Sequence, residues 1–196
     1  MFGRNIIFKN FNSNKPILNK KKRIRDIFNK FLKEKNQVLN SLKKDYKNSY
    51  NKKFVSKFKK FNQFRLIGIG GSILGAKAIY NFLTPKLKKF IFIDSFSNKF
   101  FYKKDKIKIN LIISKSGNTL ETISNSNILI KKKQLNVFLT ENKKSYLMNL
   151  AIKLKADVVH HNNFIGGRYS VLSEVGMLPA ELMGFEPKKF RRLNQL

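Results

Sequence analysis

The chain has 196 residues and no cysteine, and its 42 lysines and arginines against 11 acids give a formal net charge of +31. Without cysteine there is no disulfide framework, thiolate metal site or cysteine nucleophile. No apolar run approaches about 18 residues, so no membrane span is expected, and a hydrophobic fraction of 42% with 19 phenylalanines is too high for a chain disordered throughout. The N-terminal MFGRNIIFKNF lacks the continuous apolar segment and small-residue cleavage site of a secretory signal, so the expected location is cytoplasmic.

In chain order, residues 1–62 read as a basic N-terminal helical arm. Ile24, Phe28 and Leu32, then Val38, Leu39 and Leu42, recur at three- and four-residue spacing opposite lysines, which predicts one or two helices packed over a domain. Tyr46–Asn62 is polar and lysine-rich and reads as a linker, with a strand or turn at Phe54–Phe58. The pattern then changes. Phe64–Ile69 predicts a buried strand ending in Gly70-Gly71-Ser72, followed by a helix over Ile73–Leu83 that Pro85 stops. Further strands are expected at Phe90–Ile93, Ile107–Ile113, Leu135–Leu139 and Asp157–Val159. Helices are expected at Thr119–Lys131, Ser145–Lys155 and Ser170–Leu182, the last with Val171, Leu172, Val175, Leu178 and Leu182 inward. Alternating strands and helices imply an α/β fold with a parallel sheet covered on both faces. In such sheets ligands bind beyond the C-terminal strand ends, where the strand order reverses.

Two turns fall at such ends. Leu111–Thr122, LIISKSGNTLET, passes from an apolar strand through hydroxyls into a helix. Unpaired N–H groups and the helix dipole make a helix N-terminus an anion site, and Ser114, Ser116, Thr119 and Thr122 add donors. Asn118 with Glu121 can also form a capping box, which needs no ligand, but four hydroxyls exceed what a cap consumes. The second turn, Gly68–Gly75, fails the dinucleotide spacing: Ile73 stands where the third glycine belongs, although Asp94 imitates the ribose-binding acid. It reads better as a place where Gly70 and Gly71 let a sugar lie against the main chain, with Ser72 bonding it or capping the helix. Lys115 lacks the order of a Walker loop. In Gly166-Gly167-Arg168-Tyr169-Ser170, two glycines allow a sharp turn that holds Arg168 toward developing negative charge, or simply place a surface arginine in a helix cap. His160-His161 has no metal-ligand spacing.

The net charge admits a nucleic-acid-binding protein as an alternative. The lysines are scattered, however (Lys20–Lys22, Lys43–Lys44, Lys52–Lys53, Lys59–Lys60, Lys131–Lys133), and they come with abundant Asn, Ile and Phe. That pattern reads as compositional drift. Nonspecific, salt-sensitive adhesion to nucleic acid is expected, and the same field draws in a phosphorylated substrate.

Three motifs in this order, GIGGSILG, SKSGNTLET and NFIGGRYSVLSEVGMLP, resemble those of the phosphoglucose isomerase family over about residues 64–182. The resemblance implies a three-layer α/β/α sugar-isomerase (SIS) domain, placed at residues 63–186, with 187–196 as a truncated tail. It implies interconversion of glucose 6-phosphate and fructose 6-phosphate with no metal or organic cofactor, by a homodimer when full length. It further implies that Ser114, Ser116, Thr119, Thr122 and the Lys115 backbone hold the phosphate, that Gly71, Ser72 and Gly167 flank the sugar, and that Arg168 is catalytic, stabilising the enediolate. The family's proton-shuttling glutamate, ring-opening histidine and late lysine fall downstream of the matched stretch, and its second signature is missing. His160, His161, Glu121, Glu174 and Glu181 do not take those places. The expectation is therefore the phosphate-binding first half of the enzyme, binding sugar phosphate with negligible turnover alone. The alternative is a noncatalytic SIS binding module.

Overall fold

Short apolar runs bounded by glycine, serine and charge become parallel strands in the computed structural model, which describes residues 17–96 and 109–192. Among the described residues the strands are β1 (Gln63–Ile67), β2 (Lys89–Ile93), β3 (Ile109–Ile113), β4 (Leu135–Thr140) and β5 (Asp157–His160). They form a sheet of order β2-β1-β3-β4-β5, with every pairing parallel. β1 pairs with β2 on one side and β3 on the other, so the order reverses at β1 and opens a crevice beyond the ends of β1 and β3.

Nearly continuous hydrophobic strands need cover on both faces, and helices supply it. Phe64, Leu66, Leu111, Ile113 and Leu139 pack on one face against Ile73 and Ile79 of the helix Gly71–Leu83 and Val175 and Leu178 of the helix Glu174–Leu182. Ile67, Ile93, Ile112 and Phe138 alternate to the other face. There they meet Leu129 of Leu120–Leu129 and Leu147 and Ala151 of Tyr146–Leu154. With α1 (Ile17–Lys33), α2 (Gln37–Leu42) and α3 (Lys52–Ser56) ahead of them, these helices are α4 (71–83), α5 (120–129), α6 (146–154) and α7 (174–182), and Pro187–Phe190 is α8. The result is the expected three-layer α/β/α arrangement. Among the described residues no helix is long and apolar enough to cross a membrane.

At the N-terminal ends of the strands, Arg65, Asn110 and Asn136 stand in one register row across β1, β3 and β4. The buried Arg65 donates to the Leu129 carbonyl at 2.8 Å, and Asn110 donates to Asn136 Oδ1 at 2.7 Å. Charge and amides satisfy one another there and leave the opposite sheet end for the site.

Several expectations need correction. Tyr46–Asn62 is not a linker. Asn51 caps α3 by accepting the Phe54 N–H, and this turn drives Val55 and Phe58 into the core. Tyr46 donates to Glu174 Oε2 at 3.2 Å. α1 forms, but Ile24, Phe28 and Leu32, with Ile27 and Phe31, are exposed rather than packed over the domain. The last long helix starts at Glu174, not Ser170, because Ser173 is the residue whose hydroxyl caps it. Residues 167–169 form a 3₁₀ turn, which leaves Val171 exposed instead of inward. Residues 107 and 108 of the expected third strand lie outside the described residues, as do 193–196 of the expected tail. Arg191 in that tail is buried. It donates to the Leu172 carbonyl and, at 2.8 Å, to Asn48 Oδ1, and it covers the Tyr46 ring at 5.0 Å.

Candidate active site

The hydroxyl loop leaves β3 at Ser114, which is buried and donates its N–H to the Leu139 carbonyl at 3.0 Å. Ser114 Oγ and Thr119 Oγ1 share a hydrogen bond of 2.9 Å, Ser116 Oγ lies 3.5 Å from Thr119 Oγ1, and Asn118 N donates to Ser116 Oγ at 3.2 Å. Three hydroxyls thus gather at the start of α5. The fourth, Thr122, sits three residues after Thr119 and so on the same helix flank. Its side chain is 1% exposed and its Oγ1 has no partner among the described residues. An unpaired buried hydroxyl is costly and calls for an explanation. Among the described residues the amides of Lys115 and Ser116 donate to no acceptor either, and the first-turn N–H groups of α5 have no intrahelical partner by construction.

The alternative capping box of Asn118 and Glu121 does not form, and the reason lies 28 residues away. Asn118 Oδ1 accepts the Tyr146 N–H at 2.8 Å, and the Gly117 carbonyl accepts the Leu147 N–H at 3.0 Å. Thr119 takes the N-cap position of α5 but makes no side-chain cap bond. Gly117 has φ +66°, and a Cβ there would lie 2.2 Å from Ser145 Oγ. The start of α6 therefore supports the loop from behind, and the cap that would have consumed an α5 N–H is spent elsewhere.

The glycine turn after β1 adjoins this loop: a Cβ on Gly68 would meet the Ile113 carbonyl at 3.0 Å. Gly71 meets the arginine turn. A Cβ on it would lie 2.2 Å from both the carbonyl carbon and oxygen of Gly167, and Ser170 Oγ donates to the Gly71 carbonyl at 3.3 Å. The side-chain space that Gly71 leaves is thus filled by main chain. This corrects the reason given for that glycine, since the open flank belongs to Gly70, with φ +55° and nothing within 4 Å. Gly70 is also the N-cap of α4, so Ser72 does not cap it. Arg168 is exposed on its 3₁₀ turn and has no ion-pair or hydrogen-bond partner among the described residues.

Ser114, Lys115, Ser116, Thr119 and Thr122 therefore lie on one loop and helix end, and Gly71, Ser72, Gly167 and Arg168 on two turns in contact with each other. Lys115 Nζ joins the two groups by donating to the Asn163 carbonyl at 2.7 Å. Asp94 does not act as a free acid at the next strand end: Lys77 of α4 pairs with it at 2.7 Å.

Sequence reasoning missed the residues that brace these turns. Glu174 is buried and accepts the Asn162 N–H at 2.7 Å. Glu141 pairs with Lys143 and, at 3.5 Å, with Lys115. Burial raises the pKa of its carboxyl, but the two lysines outweigh that and hold it below the usual carboxylate range. His161 is buried with Nε2 unpartnered among the described residues, and burial pushes its pKa down. No local pattern marks Glu141, Glu174 or His161, because their partners are distant in sequence.

A parallel five-stranded sheet with helices on both faces and a hydroxyl-rich loop at its switch point defines a doubly wound α/β class. A hypothetical protein from Thermus thermophilus superposes with a TM-score of 0.65 at 22% identity, covering 85% of this chain and 44% of its own length. Tagatose-6-phosphate ketose/aldose isomerase from Escherichia coli does so with a TM-score of 0.51 at 15% identity, covering 71% and 43%. These likenesses concern the fold. The particular family follows from sequence: the phosphoglucose isomerase model matches residues 10–194, and the chain belongs to that family. The glucose-6-phosphate isomerase of Methanocaldococcus jannaschii is 38% identical over 151 residues, which are 69% of this chain and 37% of that relative's length.

Proposed function

We propose that this chain carries the phosphate- and enediolate-binding part of a glucose-6-phosphate isomerase. Its substrates are glucose 6-phosphate and fructose 6-phosphate, its location the cytoplasm and its full-length assembly a homodimer. The phosphate docks on the hydroxyls of Ser114, Ser116, Thr119 and Thr122 and the Lys115 amide, at the positive end of α5. Gly71, Ser72 and Gly167 flank the sugar. When the proton leaves the carbon beside the carbonyl, charge builds on the enediolate oxygens. Arg168, unengaged by any described carboxylate, faces that charge, a form of preorganised stabilisation commonly worth several kcal/mol. No residue of this chain is assigned as the base.

The observation that carries the reading is Thr122: a buried hydroxyl, unpartnered among the described residues, on the flank of a helix start where three more hydroxyls converge. Calorimetric titration tests it, paired with a coupled isomerase assay. Glucose 6-phosphate is expected to bind, and glucose without the phosphate is not. Equal or absent binding of the two overturns the proposal. Isomerisation by this chain alone at a rate like that of a full-length family member would show that it holds a base after all.

A further inference from the structure

We infer that Lys115 is a positioning residue whose ammonium holds the Arg168 turn against the phosphate loop instead of binding the anion itself. The catalytic meaning of this rests on the function proposed above, but the contact and its test do not.

A lysine second in an anion loop invites the reading that its charge meets the ligand. The side chain turns elsewhere. Its Nζ donates to the Asn163 carbonyl at 2.7 Å and lies 3.5 Å from Glu141 Oε1. The other Glu141 oxygen is engaged by Lys143, so this carboxylate does not depend on Lys115 for neutralisation. The backbone of Lys115 is fixed as well: its carbonyl accepts the Glu141 N–H at 3.1 Å and Thr140 Oγ1 at 3.3 Å. Stem and head are thus anchored to the end of β4, and the ammonium reaches across to the segment that leads to Arg168.

That segment is held residue by residue. His161 N–H donates to the Thr140 carbonyl at 2.9 Å, Asn162 N–H to Glu174 at 2.7 Å, and the Asn163 carbonyl receives Lys115. Ile165 is then fully buried, and Gly167 lies on Gly71. The Lys115 contact is the one among these that ties the segment to the hydroxyl loop itself. A contact to a backbone carbonyl is independent of the side chain at 163, so its loss is read by removing the donor. A displacement of about 1 Å between anchored phosphate and reacting carbons costs on the order of 10²-fold in rate. The expected effect is therefore on placement.

The test is amide hydrogen exchange on the ligand-free chain, comparing wild type with Lys115→Met, Lys115→Gln and Lys115→Arg. The Phe164, Ile165, Tyr169 and Ser170 amides, each hydrogen-bonded within the segment, are expected to exchange at least tenfold faster in Lys115→Met, with strands β3 and β4 unchanged. Lys115→Arg is expected to restore slow exchange. Should Lys115→Met loosen the whole sheet, Lys115→Gln and Lys115→Arg are compared instead, with the arginine expected to be the more protected at 164–170. Unchanged exchange at 164–170 in the variant read overturns the inference, as does a tenfold loss of inorganic phosphate affinity with the segment still protected. If inorganic phosphate and glucose 6-phosphate fail to protect residues 114–122 in the wild type, the proposed function fails while the exchange result still stands.

Discussion

Gly71 and Gly167 touch main chain to main chain, so the turn that ends β1 and the turn that presents Arg168 form a single surface. Gly71→Ala would put a Cβ 2.2 Å from the Gly167 carbonyl group, and backbone cannot yield as a flexible side chain can. The expected cost is about 1–3 kcal/mol, typical of overpacking. Thermal unfolding is expected to show a lower midpoint, and glucose 6-phosphate affinity is expected to fall with it. An unchanged midpoint would mean that the two turns are not packed in solution as they are here.

Ser114→Ala and Thr122→Val remove hydroxyls and little else. A hydrogen bond to a charged group contributes about 1.5–3 kcal/mol, so each is expected to weaken glucose 6-phosphate binding by roughly tenfold or more. Thr122→Val also replaces a buried, unpartnered hydroxyl with a methyl, so the ligand-free chain is expected to become no less stable. Opposite signs for ligand affinity and apo stability, read in one titration and one melt, would mark a hydroxyl kept for a ligand. A Thr122→Val chain that melts early and binds normally would mark a structural one.

Acid sensitivity should have two parts. His161 is buried and held neutral, with its pKa lowered from 6.5. The unfolded chain takes up a proton near that pH while the folded chain does not, so stability is lost as pH falls below 6.5 toward the lowered value. Glu141, with its pKa held below 4.5, contributes stability that is full above 4.5 and disappears as pH falls through its folded value. His161→Gln is expected to flatten the upper part alone. Melting curves between pH 7 and pH 3 decide this, and a wild-type slope that survives the substitution would rule His161 out as its source.

Arg191 binds the tail to the N-terminal segment through the Ser41 carbonyl and Asn48, and to the stretch before α7 through the Leu172 carbonyl. Arg191→Ala would remove this donor from the buried Ser41 carbonyl and from the half-buried Asn48 and Leu172 acceptors, at about 1–3 kcal/mol for each group that water cannot reach. Chemical denaturation is expected to show a lower midpoint, and proteolysis to open residues 41–50 first. A midpoint within error of the wild type would mean that this network is solvated.

The sheet was legible from the sequence because buried parallel strands read as unbroken apolar runs, and Gly70 and Ser114 end two of them abruptly. The candidate site was legible in so far as Ser114, Ser116 and Thr119, singled out by residue type, gather at the start of α5. It was not legible where a residue's role depends on a distant partner. Asn118 and Glu121 have capping-box spacing, yet Tyr146 takes the asparagine. Val55 and Phe58 lie in a lysine-rich stretch, and only contact with the sheet reveals that the lysines face out while these two face in. The start of α7 depends on which of two nearby serines, Ser170 or Ser173, caps it, and that follows from Gly167 and Gly71 holding the first of them.

The reversal of strand order at β1 also sets the sequence in which these loops can assemble during synthesis. β1 leaves the ribosome with only β2 to pair with, and its other edge waits for β3. The hydroxyl loop then waits for Tyr146 and Leu147, and Asn162, at the start of the segment that leads to the arginine turn, waits for Glu174. A nascent chain arrested before that glutamate would carry every serine and threonine of the proposed cradle, braced by α6, with the arginine segment still unanchored at Asn162.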